Sequence, residues 1–230
     1  MSQQAEVTGS GRGTLLLIVG IPLAMILGAS LLWFLVARGD MDLVAALGTA
    51  NNGDLVTPPR GLQHLGFVDD NGIAFRWGDV EPRWTLIVPA AGDACDAACE
   101  RRIWFTRQIH VALGKDFNRV RRVVITDYPA AEMAVERGPV DPEGWPAGFD
   151  SGSVLEYLAL GHSGVIALQA QKQDFANLFD ESALKDGVEW QGGWYLADPA
   201  GWIMMRYEDG LDYKAVISDL KFLLKNSGGG

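Results

Sequence analysis

Cysteine and histidine are scarce in this chain, with two of the first and three of the second in 230 residues. Two cysteines are too few to build a disulfide scaffold, so the fold must rest on an apolar core. Positive charge is also in deficit, 19 Lys and Arg against 29 Asp and Glu, for a net charge of -10. Phosphate binding needs a basic stripe, so nucleic acid is excluded as a partner. No internal repeat or low-complexity block breaks the sequence. Its histidines and spacings assemble no phosphate loop, zinc ligand set or hydrolase triad.

Charge is wholly missing from Thr14 to Val36. As a helix this run covers about 34 Å, enough for a hydrocarbon layer of ~30 Å. It is longer than the apolar core of a cleaved signal peptide, so a retained anchor is expected. The boundaries that follow are a tail over 1–13, a transmembrane helix over 14–37, a stalk over 38–60, one domain over 61–225 and a flexible tail over 226–230. Arg12 and Arg38 flank the span and leave its orientation undecided by charge. The cysteines tip the choice toward an exported C-terminal domain.

Between stalk and tail, strands and helices alternate. Phe67–Phe75 carries Asn71-Gly72 between apolar flanks, a hairpin signal. Trp84–Val88 reads as a central strand. A loop with Cys95 and Cys99 leads to a helix over Arg101–Leu113, and Val120–Thr126 forms the next strand. Asp127–Val188 is poorly defined, with a Pro/Gly-rich stretch over Pro139–Gly148, a strand near Val165–Leu168 and a helix around Asp174–Lys185. Trp194–Leu196 then turns through Asp198–Gly201 into Trp202–Tyr207. Asp212–Lys225 closes the chain as a helix burying Tyr213, Val216, Leu220 and Leu223. This order matches an α/β, thioredoxin-like domain behind one N-terminal transmembrane helix, with the cysteines at the start of the first domain helix. There the helix dipole and free N–H groups favour a thiolate.

Cys95 and Cys99, four residues apart, would share one helix face and could close a disulfide or hold a soft metal. A structural staple, a reactive dithiol and a Cu(I) site all stay open. Asp96 and Glu100 disfavour a thiolate, while Arg101 and Arg102 partly offset them. Cys95, nearer the helix start, is expected to be the more exposed, attacking sulfur. His64, His110 and His162 read as surface residues, and at least one of Met204 and Met205 as core. Trp190, Trp194 and Trp202 cluster at the last hairpin, as core packing or as a docking face.

On these residues the chain resembles the Sco/SenC family, membrane-anchored thioredoxin-like proteins that help assemble the copper centre of cytochrome c oxidase. The resemblance spans Leu65 to Lys225. It rests on Phe67–Gly72, the strand Trp84–Val88, the Cys-x-x-x-Cys and Tyr195–Gly201, which is similar to the family's YL-x-x-P-x-G hairpin. It implies a bacterial inner-membrane protein with a periplasmic domain, acting by thiol–disulfide exchange at Cys95 and Cys99. The implied partner is oxidase subunit II or another copper or assembly factor. It also implies Cu(I) on Cys95 and Cys99, completed by a histidine ahead of the hairpin. Trp190 stands at that histidine position, and Asp96 and Glu100 replace the family's prolines. The alternatives are therefore a Cu(I) chaperone and a scaffold with a structural disulfide.

Overall fold

The computed structural model describes residues 11–37, 51–136, 152–179 and 192–227. The chain divides into two units, Met1–Ala50 and Asn51–Gly230. The first contains α1 (Gly11–Ala37), whose described side chains are all exposed. Among the described residues no helix is long and apolar enough to cross a membrane. The span expected over 14–37 therefore rests on its uncharged sequence.

The second unit is built on an eight-stranded sheet. Its strands are β1 (Asp54–Gly61), β2 (Phe67–Asp69), β3 (Ala74–Phe75), β4 (Trp84–Ala90), β6 (Val120–Thr126), β8 (Val165–Ala170), β9 (Gly193–Ala197) and β10 (Trp202–Glu208). They lie in the order β1-β10-β9-β4-β6-β8-β2-β3, and β5 (Ala94–Cys95) pairs separately with β7 (Ala134–Val135). The centre, β4-β6-β8, is parallel, and both flanks are antiparallel. All seven residues of β4 are buried, as a strand covered on both faces requires.

Among the described residues four helices pack on the sheet: α2 (Ala97–Ala112), α3 (Val154–Gly161), α4 (Lys172–Phe179) and α5 (Tyr213–Asn226). One core packs Ile103, Ile109, Leu158, Val216 and Leu220 against Leu86, Val120 and Val124. The other packs Phe175, Leu178 and Phe179 with Ile87, Val123, Ile125 and Tyr195. Alternate residues of β6 thus serve opposite cores. Each fully buried aliphatic side chain contributes about 1.5–3 kcal/mol.

Several boundaries differ from expectation, each for a local reason. Helix α2 starts at Ala97 rather than Arg101, because the Asp96 carboxylate caps it by accepting the Cys99 N–H at 2.8 Å. Helix α3 went unanticipated; Ser153 caps it, its hydroxyl accepting the Glu156 N–H at 3.3 Å. Helix α4 begins at Lys172, and positions 180–185 of the expected helix lie outside the described residues. The expected stalk over 38–60 ends earlier, since Asp54–Gly61 forms β1 on β10. That pairing slips between Leu55 and Arg60, where Pro58 and Pro59 sit.

Helix α5 turns Val216, Asp219, Leu220 and Leu224 inward, while Tyr213 is exposed and Leu223 only half-buried. Asp219 sets that rotation. Its carboxylate accepts the Asn52 backbone N–H (2.9 Å), the Asn52 side-chain amide (2.8 Å), the Gly53 N–H (3.1 Å) and the Tyr207 hydroxyl (3.3 Å). At the β9–β10 turn, Gly201 has φ +87°, and the Trp77 indole fills the space a Cβ would need.

Candidate functional site around the cysteine pair

Cys95 ends strand β5, which is held by β7 and by the Glu136 N–H donating to the Cys95 carbonyl at 2.8 Å. Asp96 follows as the helix cap, and Cys99 is the third residue of α2. The two sulfurs are bonded, with Cα atoms 5.3 Å apart. The pair therefore lies at a helix start, as expected, but Cys95 precedes the helix instead of sharing a face of it with Cys99. Cys95 is 1% exposed and Cys99 5%. The expectation that Cys95 is the more accessible sulfur is overturned: pairing of β5 with β7 buries it.

A cleft of about 310 Å³ opens beside Cys99, lined by Pro89, Ala90, Ala94, Asp96 and Arg102 among others. Its walls are mostly small side chains, with one carboxylate and one guanidinium. Arg102 is buried, and its Nε and Nη2 donate to the Asp209 carboxylate at 3.0 and 2.7 Å. Gly192, at φ +99°, leaves room for that guanidinium, which a Cβ would strike. A thiolate at Cys99 would feel the helix dipole and Arg102 in its favour and the Asp96 carboxylate against it. Glu100 is buried beside Tyr157. Burial first, then the charge of Glu100 and the hydrogen bond to it, push the Tyr157 hydroxyl above its ordinary range. Sequence reading missed the cleft, because alanine and proline carry no chemical signal of their own.

The other candidates sit elsewhere. His64 is exposed, as expected. His110 is buried against Phe117, with ring centroids 3.8 Å apart and Nε2 2.9 Å from the Phe117 carbonyl. His162 is 2% exposed and lies 4.7 Å from the Tyr157 ring. The surface reading of these two is overturned, since packing on an aromatic ring buries each. Met205 is core and Met204 half-buried. Trp194 is buried against Tyr207 (centroids 4.4 Å apart), whereas Trp202 is 42% exposed. Trp190 lies outside the described residues.

Copper on Cys95 and Cys99 calls for two free thiolates and a further donor. Here the sulfurs are spent on each other. Among the described residues no three His, Cys, Asp or Glu side chains gather to hold a metal. Among the described residues the donors present do not make up a copper site.

Among solved structures, yeast Sco1 with copper bound matches with a TM-score of 0.50 at 18% identity, covering 78% of this chain and 96% of that one. A SCO1/SenC family lipoprotein from Bacillus anthracis matches with a TM-score of 0.47 at 16% identity, covering 74% and 99%. ScoI from Bradyrhizobium japonicum with copper bound gives 0.44 at 20%, covering 69% and 96%. The yeast match shows a common thioredoxin-like fold. No curated protein matches the chain. The family model described as "Transmembrane-like, thioredoxin-like, C-terminal domain" matches residues 84–140 and 164–227, more than half of the chain and the whole frame of the cysteine pair. The chain belongs to that transmembrane-like, thioredoxin-like family.

Proposed function

We propose that this chain is a membrane-anchored thiol–disulfide exchange protein serving cytochrome c oxidase assembly, with its domain on the periplasmic side of a bacterial inner membrane. The observation that supports it best is the bonded pair at the start of α2, with Cys99 bordering an open cleft. The uncharged run Thr14–Val36 supports the anchor. The partner, oxidase subunit II or another copper or assembly factor, follows from the Sco/SenC resemblance.

In the reduced pair, the Cys99 thiolate attacks one sulfur of a partner disulfide and forms a mixed disulfide, releasing the partner's other sulfur as a thiolate. Cys95, deprotonated by water, then attacks Cys99. The Cys95–Cys99 bond closes and the second partner sulfur leaves. Two electrons pass to the partner, whose thiolates take up the two protons, and a dithiol donor restores the pair. Asp96 orders the helix turn that holds Cys99, and Arg102 offsets the negative charge developing on sulfur.

The test combines cells and purified protein. Cys95→Ser and Cys99→Ser should each abolish oxidase assembly, and Cys95→Ser should trap a covalent partner through Cys99. The pair's reduction potential should lie above about -300 mV, because a lower value is typical of a structural staple. Full assembly with both variants would sink the mechanism.

A further inference from the structure

Arg102 lines two cavities, the cleft beside Cys99 and a second one of about 370 Å³. The second is framed by α2, β9 and the segment joining β10 to α5, with apolar walls of Trp104, Phe105, Trp194, Leu211 and Tyr213. Trp194 is 1% exposed, and its ring lies 6.3 Å from that of Phe105. Trp104 and Phe105 are half-buried and Tyr213 is exposed. Aromatic surface thus runs from a buried floor to an open rim, and the exchange chemistry uses none of it. Cavities that take up ligands measure about 300–1,000 Å³, and aromatic walls left wet gain free energy when a ring covers them.

The charges on the rim say what kind of group fits. Arg101 and Arg102 line the cavity together with Glu208 and Asp209, so two guanidiniums face two carboxylates. Asp209 accepts from Arg102 Nη2 at 2.7 Å, and Glu208 accepts from Arg206 Nη2 at 2.6 Å. Neither a cation nor an anion is favoured by that balance, which suits an uncharged occupant.

The two cavities also lie within reach of one chain. Cys99, Arg102 and Phe105 follow at three-residue steps along α2, a rise of about 9 Å from first to last. An extended polypeptide covers that distance in about three residues. We infer that the second cavity seats an uncharged aromatic side chain of the partner polypeptide, about three residues from the cysteine that Cys99 attacks. This inference rests on the exchange reading above and names what selects its substrate. Trp104, Phe105 and Tyr213 determine specificity by contact with that ring, while the sulfurs carry the chemistry.

The experiment mixes the reduced full chain, in detergent micelles, with neutral glycine- and serine-based peptides whose one cysteine carries a thionitrobenzoate disulfide. Cys99 attacks the peptide sulfur and thionitrobenzoate leaves as its coloured thiolate; Cys95 then closes on Cys99 and frees the peptide thiolate. Tryptophan about three residues from the cysteine should raise the second-order rate constant about tenfold over alanine, whereas lysine or glutamate there should give no gain. The gain should vanish when tryptophan is moved well beyond that reach, and Trp104→Ala and Tyr213→Ser should each cut it several-fold. Equal rates with tryptophan and alanine, an equal gain with lysine, a gain indifferent to spacing, or one that survives both substitutions overturns the inference and leaves the exchange reading standing. No thiolate released from any peptide overturns the exchange reading and this inference with it. The comparison among peptides needs no variant to fold.

Discussion

Replacing His162 by glutamine should flatten the acid limb of the stability curve. In the folded chain His162 is 2% exposed, with Arg122 and Arg107 cationic nearby and Tyr157 against its ring. Burial and those two charges lower its pKa from 6.5 to about 4. The unfolded chain takes up a proton near the ordinary value, so between those limits it binds more protons than the folded chain. The stabilisation is complete above about pH 6.5 and is lost as pH falls through about 4. At about 1.4 kcal/mol per tenfold, the gap amounts to roughly 3 kcal/mol. His110, lowered chiefly by burial, acts in the same direction and keeps some slope in the variant. The assay is denaturant unfolding of both proteins at constant ionic strength at steps from pH 7.5 to 4, followed by tryptophan fluorescence. Carboxylates titrate equally in the two, so the difference between the curves reports His162. Parallel curves across that range would refute the reasoning.

Three further outcomes follow from individual contacts. Asp219→Ala strips the acceptor from Asn52, Gly53 and Tyr207 and should cost about 3 kcal/mol in urea unfolding, with Asp219→Asn costing less. The Cys95–Cys99 bond closes no more than a five-residue loop, so calorimetry of reduced against oxidised protein should show a loss of about 2 kcal/mol. Gly192→Ala forces a side chain into a left-handed conformation against Arg102, and its unfolding midpoint should drop by the equivalent of about 1–3 kcal/mol.

Legibility in the sequence followed the range of the interaction that decides each feature. The hairpin at Asn71-Gly72, the turn at Asp198–Gly201 and the strand from Trp84 are written in adjacent residues, and all three appear in the structure. The early start of α2 was local too, but Asp96-Ala97-Ala98 lacks the apolar spacing that marks a helix. Burial of Cys95 depends on β7, and burial of His162 on its place beside Tyr157 and Arg122, contacts that no window of sequence reveals. The same holds for β1, which joins β10 from the far end of the chain. The cysteine spacing revealed the site's two sulfurs, while the cleft beside them is drawn by side chains too small to announce themselves.

The outer strand β1 carries Pro58 and Pro59 at its slipped register, and the opposite border of the sheet, β3, is two residues long. Proline offers no amide proton to a visiting strand, and two residues give too short a template for one. Neither rim therefore welcomes another polypeptide by backbone zippering. Pairing by added strands is thus disfavoured at both rims, which leaves a partner to loops and helix ends such as the start of α2, where Cys99 borders the cleft.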